Sequence, residues 1–364
     1  MPKSVGANDL RSDRRKLAGG GVIWHGLSSI IQITPGSMPS FEEMFSFASL
    51  LRSWQEFVVG KRGKVDVADF ASNVIHNLSV LHDDLMRGRY HHGGYTYFRV
   101  SDPKPRDIHK ASVRDRVVHH AIYRALYPYF DRYFISDSYS CRVEKGTHRA
   151  LRKLAICVRR EGRNNTHTVW ALSCDIKKCF ASVSHIILKE LLRQQIECPM
   201  ILAVIDSVID SFSSGIHGKG IPLGNLTSQL FINIYLDTLD QHVKRVLGAR
   251  LYLRYADDFV FISRDKGWLM ELVERVAVFL DERLDCQLHP NKVSIKTIAS
   301  GVDFLGWVHF PDHRVLRTVT KRRMHARLSR KYSHATQASY LGMLSHGNAK
   351  ILQHGILAKE NHRW

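Results

Sequence analysis

The stretch Leu251 to Ser263, LYLRYADDFVFIS, carries the pattern on which the fold prediction depends. Its first part alternates as a β-strand does, with one face formed by Leu251, Leu253 and Tyr255 and the other by Tyr252 and Arg254. Residues 259–262 are again β-branched and aromatic, and the small, acidic Ala256-Asp257-Asp258 lies between the two runs. The pattern predicts two antiparallel strands joined by a tight turn that presents two adjacent carboxylates.

Two neighbouring carboxylates between apolar strands are costly unless a cation neutralises them, because burial and like charge both raise their pKa values. Mg²⁺ prefers carboxylate oxygens, and two such ions about 4 Å apart can hold the attacking and leaving oxygens of a phosphoryl transfer. A solvated Asp-Asp turn is the alternative explanation of these residues taken alone. The other motifs of the chain favour the metal site.

The composition points to a polyanionic partner. The chain has 364 residues with a formal net charge of +19, which favours nucleic acid over a membrane surface, and 44% of its residues are hydrophobic, enough for a sizeable core. No run of 18 apolar residues occurs, and the apolar residues 21–33 are interrupted by polar side chains, so we expect neither a membrane span nor a signal peptide. The six cysteines form no CxxC pair, which indicates a reduced, cytoplasmic setting without a zinc site.

A third carboxylate follows another strand pattern. The apolar run VWALSC, residues 169–174, ends at Asp175, which is a candidate metal ligand or, alternatively, a turn or helix cap. Further along, residues 215–229 read GIHGKGIPLGNLTSQ, and such a Gly-rich loop before a helix lets a nucleotide approach the backbone closely. Taken alone, the loop could equally be a connector.

Two basic segments complete the pattern. Residues 95–100 alternate like a strand, and we expect a hairpin on which Lys104 and Arg106, two residues apart, point to one face and grip a triphosphate; a solvated basic loop is the alternative. Residues 314–331 contain eight Lys and Arg and no acid, and we expect a helix that follows phosphates. Between them, we predict a packing helix over 266–284 with Met270 on its buried face, and a strand over 302–307.

In this order, the motifs resemble the reverse transcriptases of prokaryotes over roughly residues 95–345. The resemblance is carried by the basic hairpin, Asp175 with Phe180, the LGNLTSQ loop at 223–229, YADD, Lys292 beyond a helix, and FLGW at 304–307. Group II intron and retron enzymes usually carry QGxxxSP where this chain has LGNLTSQ. That variant is similar to the enzymes of diversity-generating retroelements and of their antiphage-defence, or unknown-group, relatives.

The resemblance implies an α+β right-hand polymerase fold: fingers, a palm whose antiparallel sheet carries YADD, and an α-helical thumb. The implied divisions are a basic N-terminal extension over 1–40, fingers over 41–165, a palm over 166–312 and a thumb over 313–364. It also implies that Asp175, Asp257 and Asp258, with the backbone carbonyl of Ile176, hold two Mg²⁺ ions, for which Mn²⁺ could substitute.

Further roles follow from the same resemblance. Lys104 and Arg106 would hold the triphosphate, Phe180 would exclude a 2′-hydroxyl, and Leu223 and Gly224 would lie against the nucleotide. Lys292 would donate a proton to pyrophosphate or stabilise its charge. Primer and template would contact Phe304, Leu305, Gly306 and Trp307. They would also contact four basic residues that we call the thumb track: Lys321, Arg322, Arg323 and Arg327.

The implied function is RNA-directed DNA synthesis: copying a dedicated RNA, expected to be a structured noncoding RNA, into cDNA from dNTPs for retroelement diversification or antiphage defence. An accessory protein or a second copy of the chain is a further expected partner. Three alternatives stay open: a non-catalytic RNA-binding scaffold, a palm-type RNA polymerase, and template-independent or protein-primed DNA synthesis. Leu223 departs from the Gln that many relatives carry there, and we expect no RNase H or endonuclease domain after residue 345.

Overall fold

The computed structural model describes residues 38–101, 105–330 and 333–361, with backbone alone for 358–361. Lys104 and most of the predicted N-terminal extension therefore lie outside the described residues. None of the helices in these ranges combines the length and the apolarity that a bilayer crossing needs.

The N-terminal part is a helical layer that supports one β-hairpin. Its elements are α1 (Phe41–Phe45), α2 (Phe47–Val58), α3 (Val65–Ser72), α4 (Val74–Met86), β1 (Tyr95–Val100), β2 (Arg106–Ala111) and α5 (Val113–Asp131). Helix α5 begins where the Ser112 hydroxyl accepts a hydrogen bond from the Asp115 N–H at 3.1 Å, which caps the helix. Strands β1 and β2 pair antiparallel, with Val100 opposite Arg106, so the predicted basic hairpin is present.

The central part is an antiparallel sheet with helices on both faces. Its elements are α6 (Thr147–Glu161), β3 (Trp170–Asp175), α7 (Cys179–Ser182), α8 (His185–Arg193), α9 (Pro199–Asp210), α10 (Leu226–Arg245), β4 (Tyr252–Tyr255), β5 (Asp258–Ser263), α11 (Lys266–Leu284) and β6 (Ser294–Thr297). The strand order is β4-β5-β3-β6, and we call this four-stranded sheet the palm sheet.

The palm sheet separates two buried cores, because successive side chains on a strand point to opposite faces. The larger core contains Leu172 and Phe259 and packs against the central and N-terminal helices. The smaller core contains Ala171, Val260 and the apolar face of α6, and it extends into the C-terminal part. The side chains of Asp175 and Asp258 continue the series that faces the smaller core.

The C-terminal part consists of a small sheet followed by three helices. Its elements are β7 (Val302–Phe304), β8 (Trp307–His309), β9 (Arg314–Leu316), α12 (Thr318–Arg330), α13 (His334–Leu344) and α14 (Lys350–Asn361). Strand β9 pairs with β8, so one sheet joins residues on both sides of the predicted palm–thumb boundary at 312/313. The basic helix begins at Thr318, because the residues before it belong to β9. The four predicted divisions stay predictions.

Candidate active site

The YADD motif forms the predicted tight turn between β4 and β5. Tyr255 and Asp258 are paired across the two strands, which leaves Ala256 and Asp257 as the turn residues. Ala256 has a φ of +54°, a left-handed conformation in which a small side chain is strained less than a branched one. The turn therefore places Asp257 at its tip and Asp258 at the first position of β5.

Asp175 lies beside this turn. It is the last residue of β3 and is directly opposite Asp258 in the antiparallel pairing of β3 with β5. The N–H of Ile176 donates to the Asp257 carbonyl oxygen at 3.3 Å, so the chain leaving β3 is tied to the turn. The structure thus brings the three predicted carboxylates together, with Ile176 next to them.

The surroundings of the turn disfavour the charged forms of Asp257 and Asp258. Burial, followed by the charges of Asp257 and Asp175, raises the pKa of Asp258 to about 7. Burial and the charge of Asp175 also raise the pKa of Asp257, and the cations of Lys292 and Arg106 act in the opposite direction. A site of this kind favours whatever cation binds it.

Lys292 is the cation that contacts this group. Its Nζ donates to Asp175 Oδ2 at 2.7 Å, and the lysine side chain is 44% exposed whereas that of Asp175 is 9% exposed. The loop that carries Lys292 is held by the N–H of His289, which donates to the Asp175 carbonyl oxygen at 2.7 Å. Among the described residues, no three Asp, Glu, His or Cys side chains are placed so that they could hold one metal ion together.

Arg106 and the Gly-rich loop meet at the fingers hairpin. Arg106 opens β2, and its charge acts on Asp257, which places it on the side of the carboxylates. The N–H of His109 donates to the Leu223 carbonyl oxygen at 3.2 Å, and the Asn225 side-chain amide donates to the His109 carbonyl oxygen at 2.9 Å. The side chain of Asn225, the residue before α10, is therefore bonded to β2 and makes no hydrogen bond to the first turn of that helix.

Gly224 is required by that packing. Its φ is +104°, and a Cβ at this position would lie 2.9 Å from Ile108 Cγ2, closer than real Cβ atoms approach. The absence of a side chain at Gly224 thus lets the backbone of the loop approach β2. Phe180 lies nearby in α7, where it is half-buried against the larger core, and its carbonyl oxygen accepts from the Ile221 N–H at 2.8 Å.

The FLGW segment departs from the sequence prediction. Residues 302–307 do not form one strand, because Leu305 and Gly306, with φ of +51° and +84°, make a two-residue turn between β7 and β8. Phe304 and Trp307 are 5% and 3% exposed and belong to the smaller core, so their rings are packing residues. Of the four predicted primer contacts, only the turn residues Leu305 and Gly306 are partly accessible.

The thumb track lies on α12 as predicted. Met324 and Leu328 are the buried residues of this helix. Lys321, Arg322 and Arg327 are exposed and Arg323 is half-buried, so the basic residues occupy the remaining surface of the helix.

Sequence reasoning missed a buried ion pair behind the YADD turn. Arg254 and Asp240 are both fully buried, and Arg254 Nε and Nη2 donate to the Asp240 carboxylate at 2.7–2.9 Å. The Tyr252 hydroxyl donates to the same carboxylate at 2.7 Å. Burial alone would lower the pKa of Arg254, but the adjacent carboxylate of Asp240 raises it, so the guanidinium stays charged.

This pair reaches the YADD turn directly. Arg254 Nη1 donates to the Ala256 carbonyl oxygen at 3.3 Å, and Nη2 donates to Ser138 Oγ at 3.2 Å. The signal in the sequence is a charged residue on each of two otherwise apolar faces: Arg254 beside Tyr252 on the strand, and Asp240 beside Leu236 and Leu239 on α10. Charges on two apolar faces that meet are expected to pair.

A palm sheet that carries an acidic pair on a hairpin turn, beside a third carboxylate at the end of the central strand, defines the class of palm-domain nucleic-acid polymerases. Within that class, the model of the family "Reverse transcriptase (RNA-dependent DNA polymerase)" matches residues 101–309, more than half of the chain, and the chain belongs to this family. Membership confirms the predicted right-hand fold and the predicted enzyme class, an RNA-directed DNA polymerase.

Two known proteins give the range of similarity. Protein YkfC of Escherichia coli (strain K12) is 26% identical over 283 residues, which cover 66% of this chain and 71% of YkfC. The structure of apo telomerase from Candida tropicalis, truncated from the C-terminal domain, aligns with a TM-score of 0.47 at 13% identity and covers 61% of this chain. This chain spans 54% of that telomerase chain.

Proposed function

We propose that this protein extends a primer with dNTPs along a dedicated RNA template and releases a cDNA strand. The observation that carries the proposal is the position of Asp257 and Asp258 on the YADD turn directly beside Asp175, with Lys292 and Arg106 as the nearby cations. These groups provide negative charge where metal-bound phosphates react and positive charge where a triphosphate binds.

The donor set fits hard divalent cations. Asp175, Asp257 and Asp258 offer only carboxylate oxygens, and burial together with like charge raises the pKa values of Asp257 and Asp258, as expected of a site that a cation would stabilise. We assign these three residues and the Ile176 carbonyl as the ligands of two Mg²⁺ ions, or of Mn²⁺ in their place. When bound, such ions supply Lewis-acid activation of a primer hydroxyl and neutralise the charge on the phosphates.

The cations of the chain have separate tasks in this proposal. Lys292, which donates to Asp175, would also donate a proton to the departing pyrophosphate or stabilise its charge. Arg106 forms a bidentate contact with the incoming triphosphate, and Lys104 adds a point charge. The thumb track holds the backbone of the primer–template duplex, and the Leu305–Gly306 turn positions the primer end.

Nucleotide selection depends on Phe180 in this proposal. The residue follows Asp175 by five positions, and its ring would lie under the sugar, where a 2′-hydroxyl would clash with it. Leu223 provides no amide to contact the incoming nucleotide, so base selection rests on pairing with the template. Because Phe180 excludes the 2′-hydroxyl, the product is DNA. Because Leu223 makes no amide contact, the polymerase discriminates weakly against mismatches.

The LGNLTSQ variant at 223–229 supports a place among the diversity-generating retroelement and antiphage-defence enzymes. The template in that setting is a structured noncoding RNA, and an accessory protein or a second copy of the chain completes the assembly. A non-catalytic scaffold and template-independent synthesis are outcomes that the next experiment separates.

The test is primer extension on a primed RNA with Mg²⁺ and dNTPs, comparing the wild type with Asp257→Asn. The variant should lose extension completely and keep or slightly gain stability, because it removes one of two crowded anions. Asp281→Asn, at an exposed position of α11, is the matched control and should extend like the wild type. A folded Asp257→Asn protein that still extends the primer contradicts the assignment; extension without the RNA strand indicates template-independent synthesis.

A further inference from the structure

The outer face of α6 carries arginines that the polymerase site does not use. The inner face of this helix, which includes Ala150, Leu151 and Leu154, packs into the smaller core. The residues of the opposite, exposed face include Arg149, Arg152, Arg159 and Arg160, which we call the α6 arginine stripe. At 100° and 1.5 Å per residue, these four positions lie within one band of the helix about 17 Å long.

The stripe lacks acidic partners. Arg159 Nε donates to the neutral Asn164 Oδ1 at 2.8 Å, and no described carboxylate forms an ion pair with any of the four arginines. By contrast, Arg114 on α5 pairs with Asp84 at 3.0 Å, and Lys153 on the flank of α6 pairs with Asp137 at 3.1 Å. The four arginines of this face are therefore available to an anionic partner.

A second observation comes from the C-terminal part, which adds like charge to the stripe. The rings of His148 on α6 and His346 before α14 stack with centroids 3.6 Å apart, and Arg314 Nε of β9 donates to the His346 carbonyl oxygen at 2.5 Å. Burial lowers the pKa of Arg314, and the charge of Arg152 lowers it further. Arg314 thus adds a second guanidinium beside Arg152, and no described carboxylate forms an ion pair with either of them.

The stripe begins near the YADD turn and runs away from it along the palm sheet. The Thr147 hydroxyl at the start of α6 donates to the Tyr255 hydroxyl at 3.2 Å, and Glu161 at its end accepts from the Arg264 N–H at 3.2 Å, just beyond β5. Helix α6 therefore runs along β5, away from the end that carries Asp258. A strand of six residues spans about 20 Å, so the far end of the stripe lies about that distance from the catalytic turn.

We propose that the α6 arginine stripe, together with Arg314, binds the phosphate backbone of a base-paired stem in the template RNA, outside the primer–template duplex. The proposal rests on the proposed function, which supplies the RNA. Arginine suits the task because its planar fork contacts phosphate bidentately, and double-stranded RNA is recognised mainly through its backbone. The stripe then holds the folded part of the RNA while the thumb track holds the duplex being extended.

The experiment compares two synthetic RNAs: a primed template that carries a flanking hairpin stem of about 16 base pairs, and the same primed template without the stem. The variant is Arg149→Gln, Arg152→Gln and Arg160→Gln combined, since Gln preserves helix propensity. The matched control is Arg245→Gln, Arg275→Gln and Arg283→Gln, three exposed arginines on α10 and α11 with the same loss of charge.

The stripe variant should bind the stem RNA more weakly, with a log K against log salt slope shallower by about 2 to 3, three contacts at roughly 0.7–0.9 each. Its affinity for the stemless template and its extension of that template should equal those of the wild type. A charge-preserving triple of Arg→Lys substitutions at the same positions should restore the slope. The control triple should leave both RNAs bound as by the wild type.

Three results overturn the proposal: unchanged binding of the stem RNA, an equal loss on both RNAs, or an equal loss in the control triple. An equal loss on both RNAs assigns the stripe to the primer–template duplex instead. Failure of the proposed function is seen separately, as failure of the wild type to extend the stemless template, and it leaves the binding comparison intact.

Discussion

Replacing Arg254 by Met should test whether the buried ion pair supports the YADD turn. Among the described residues, Arg254 supplies three of the four hydrogen bonds that the Asp240 carboxylate accepts, so the substitution leaves this buried group with the Tyr252 hydroxyl as its remaining donor there. Breaking a buried pair in this way costs about 3–5 kcal/mol. The free energy of unfolding, measured by urea denaturation with an unchanged m-value, should fall by that amount.

A second variant separates stability from the position of the turn. Replacing the whole polar group by apolar residues, as Arg254→Met, Asp240→Leu and Tyr252→Phe combined, removes the unpaired charge and should recover most of the lost stability. Extension should stay low in this variant, because the Ala256 carbonyl still lacks its donor at 3.3 Å and the turn that carries Asp257 is no longer fixed. The loss should appear in kcat more than in KM.

Two results would refute this reasoning. A loss below about 1 kcal/mol in Arg254→Met would mean that the pair contributes no more than an exposed one. Full recovery of kcat in the triple variant would mean that Arg254 acts only on stability and does not position the turn.

Phe180→Ala should admit ribonucleotides, and the ratio of kcat/KM for dNTP over rNTP should fall by about a hundredfold, equivalent to roughly 2–3 kcal/mol. Single-nucleotide incorporation on one primed template measures this ratio. An unchanged ratio in an active variant would mean that Phe180 does not exclude the 2′-hydroxyl. Replacing all four thumb-track residues by Gln should weaken binding of every primer–template and flatten the log K against log salt slope by roughly 0.7–0.9 per lost contact; lower affinity at an unchanged slope contradicts a phosphate track. Mg²⁺ affinity, measured by calorimetry, should fall from pH 8 to pH 6, because Asp258 with a pKa of about 7 takes up a proton that competes with the ion. The same raised pKa means that the metal-free fold loses stability as pH rises from about 4 to about 7, because the folded state holds the Asp258 proton more tightly than the unfolded state. Thermal denaturation of the wild type and of Asp258→Asn across this pH range isolates the contribution of Asp258. A contribution that grows with pH would contradict the assignment.

Local patterns allowed the strands that carry the three carboxylates to be predicted. Alternation of side chains along 251–263 and the apolar run before Asp175 depend only on neighbours in the chain, so β3, β4, β5 and the turn could be assigned from sequence. Arg254 was assigned to the correct face, but its function depends on Asp240, which comes from another element, and no local pattern links the two.

The errors have a similar cause. Helix α11 has the predicted bounds, but it buries Leu269, Leu272 and Val276, whereas the predicted Met270 is 57% exposed. Apolar residues surround much of this helix, so periodicity could not select the buried face. In FLGW, a Leu with positive φ forms the turn where sequence rules expect Asn or Gly, and a hairpin was therefore predicted as one strand.

The division into two cores by the palm sheet has a consequence for partial unfolding. Strands β3 and β5 belong to both cores, whereas α6 and the C-terminal sheet are buried only by the smaller one. Regions that depend on fewer buried contacts open with a smaller free energy than the whole domain. Backbone amides of β8 and α6 should therefore exchange with deuterium earlier than those of α10, while the strands that carry the three carboxylates stay protected. In that case the polymerase can release its C-terminal part from the palm sheet without losing the geometry of the YADD turn.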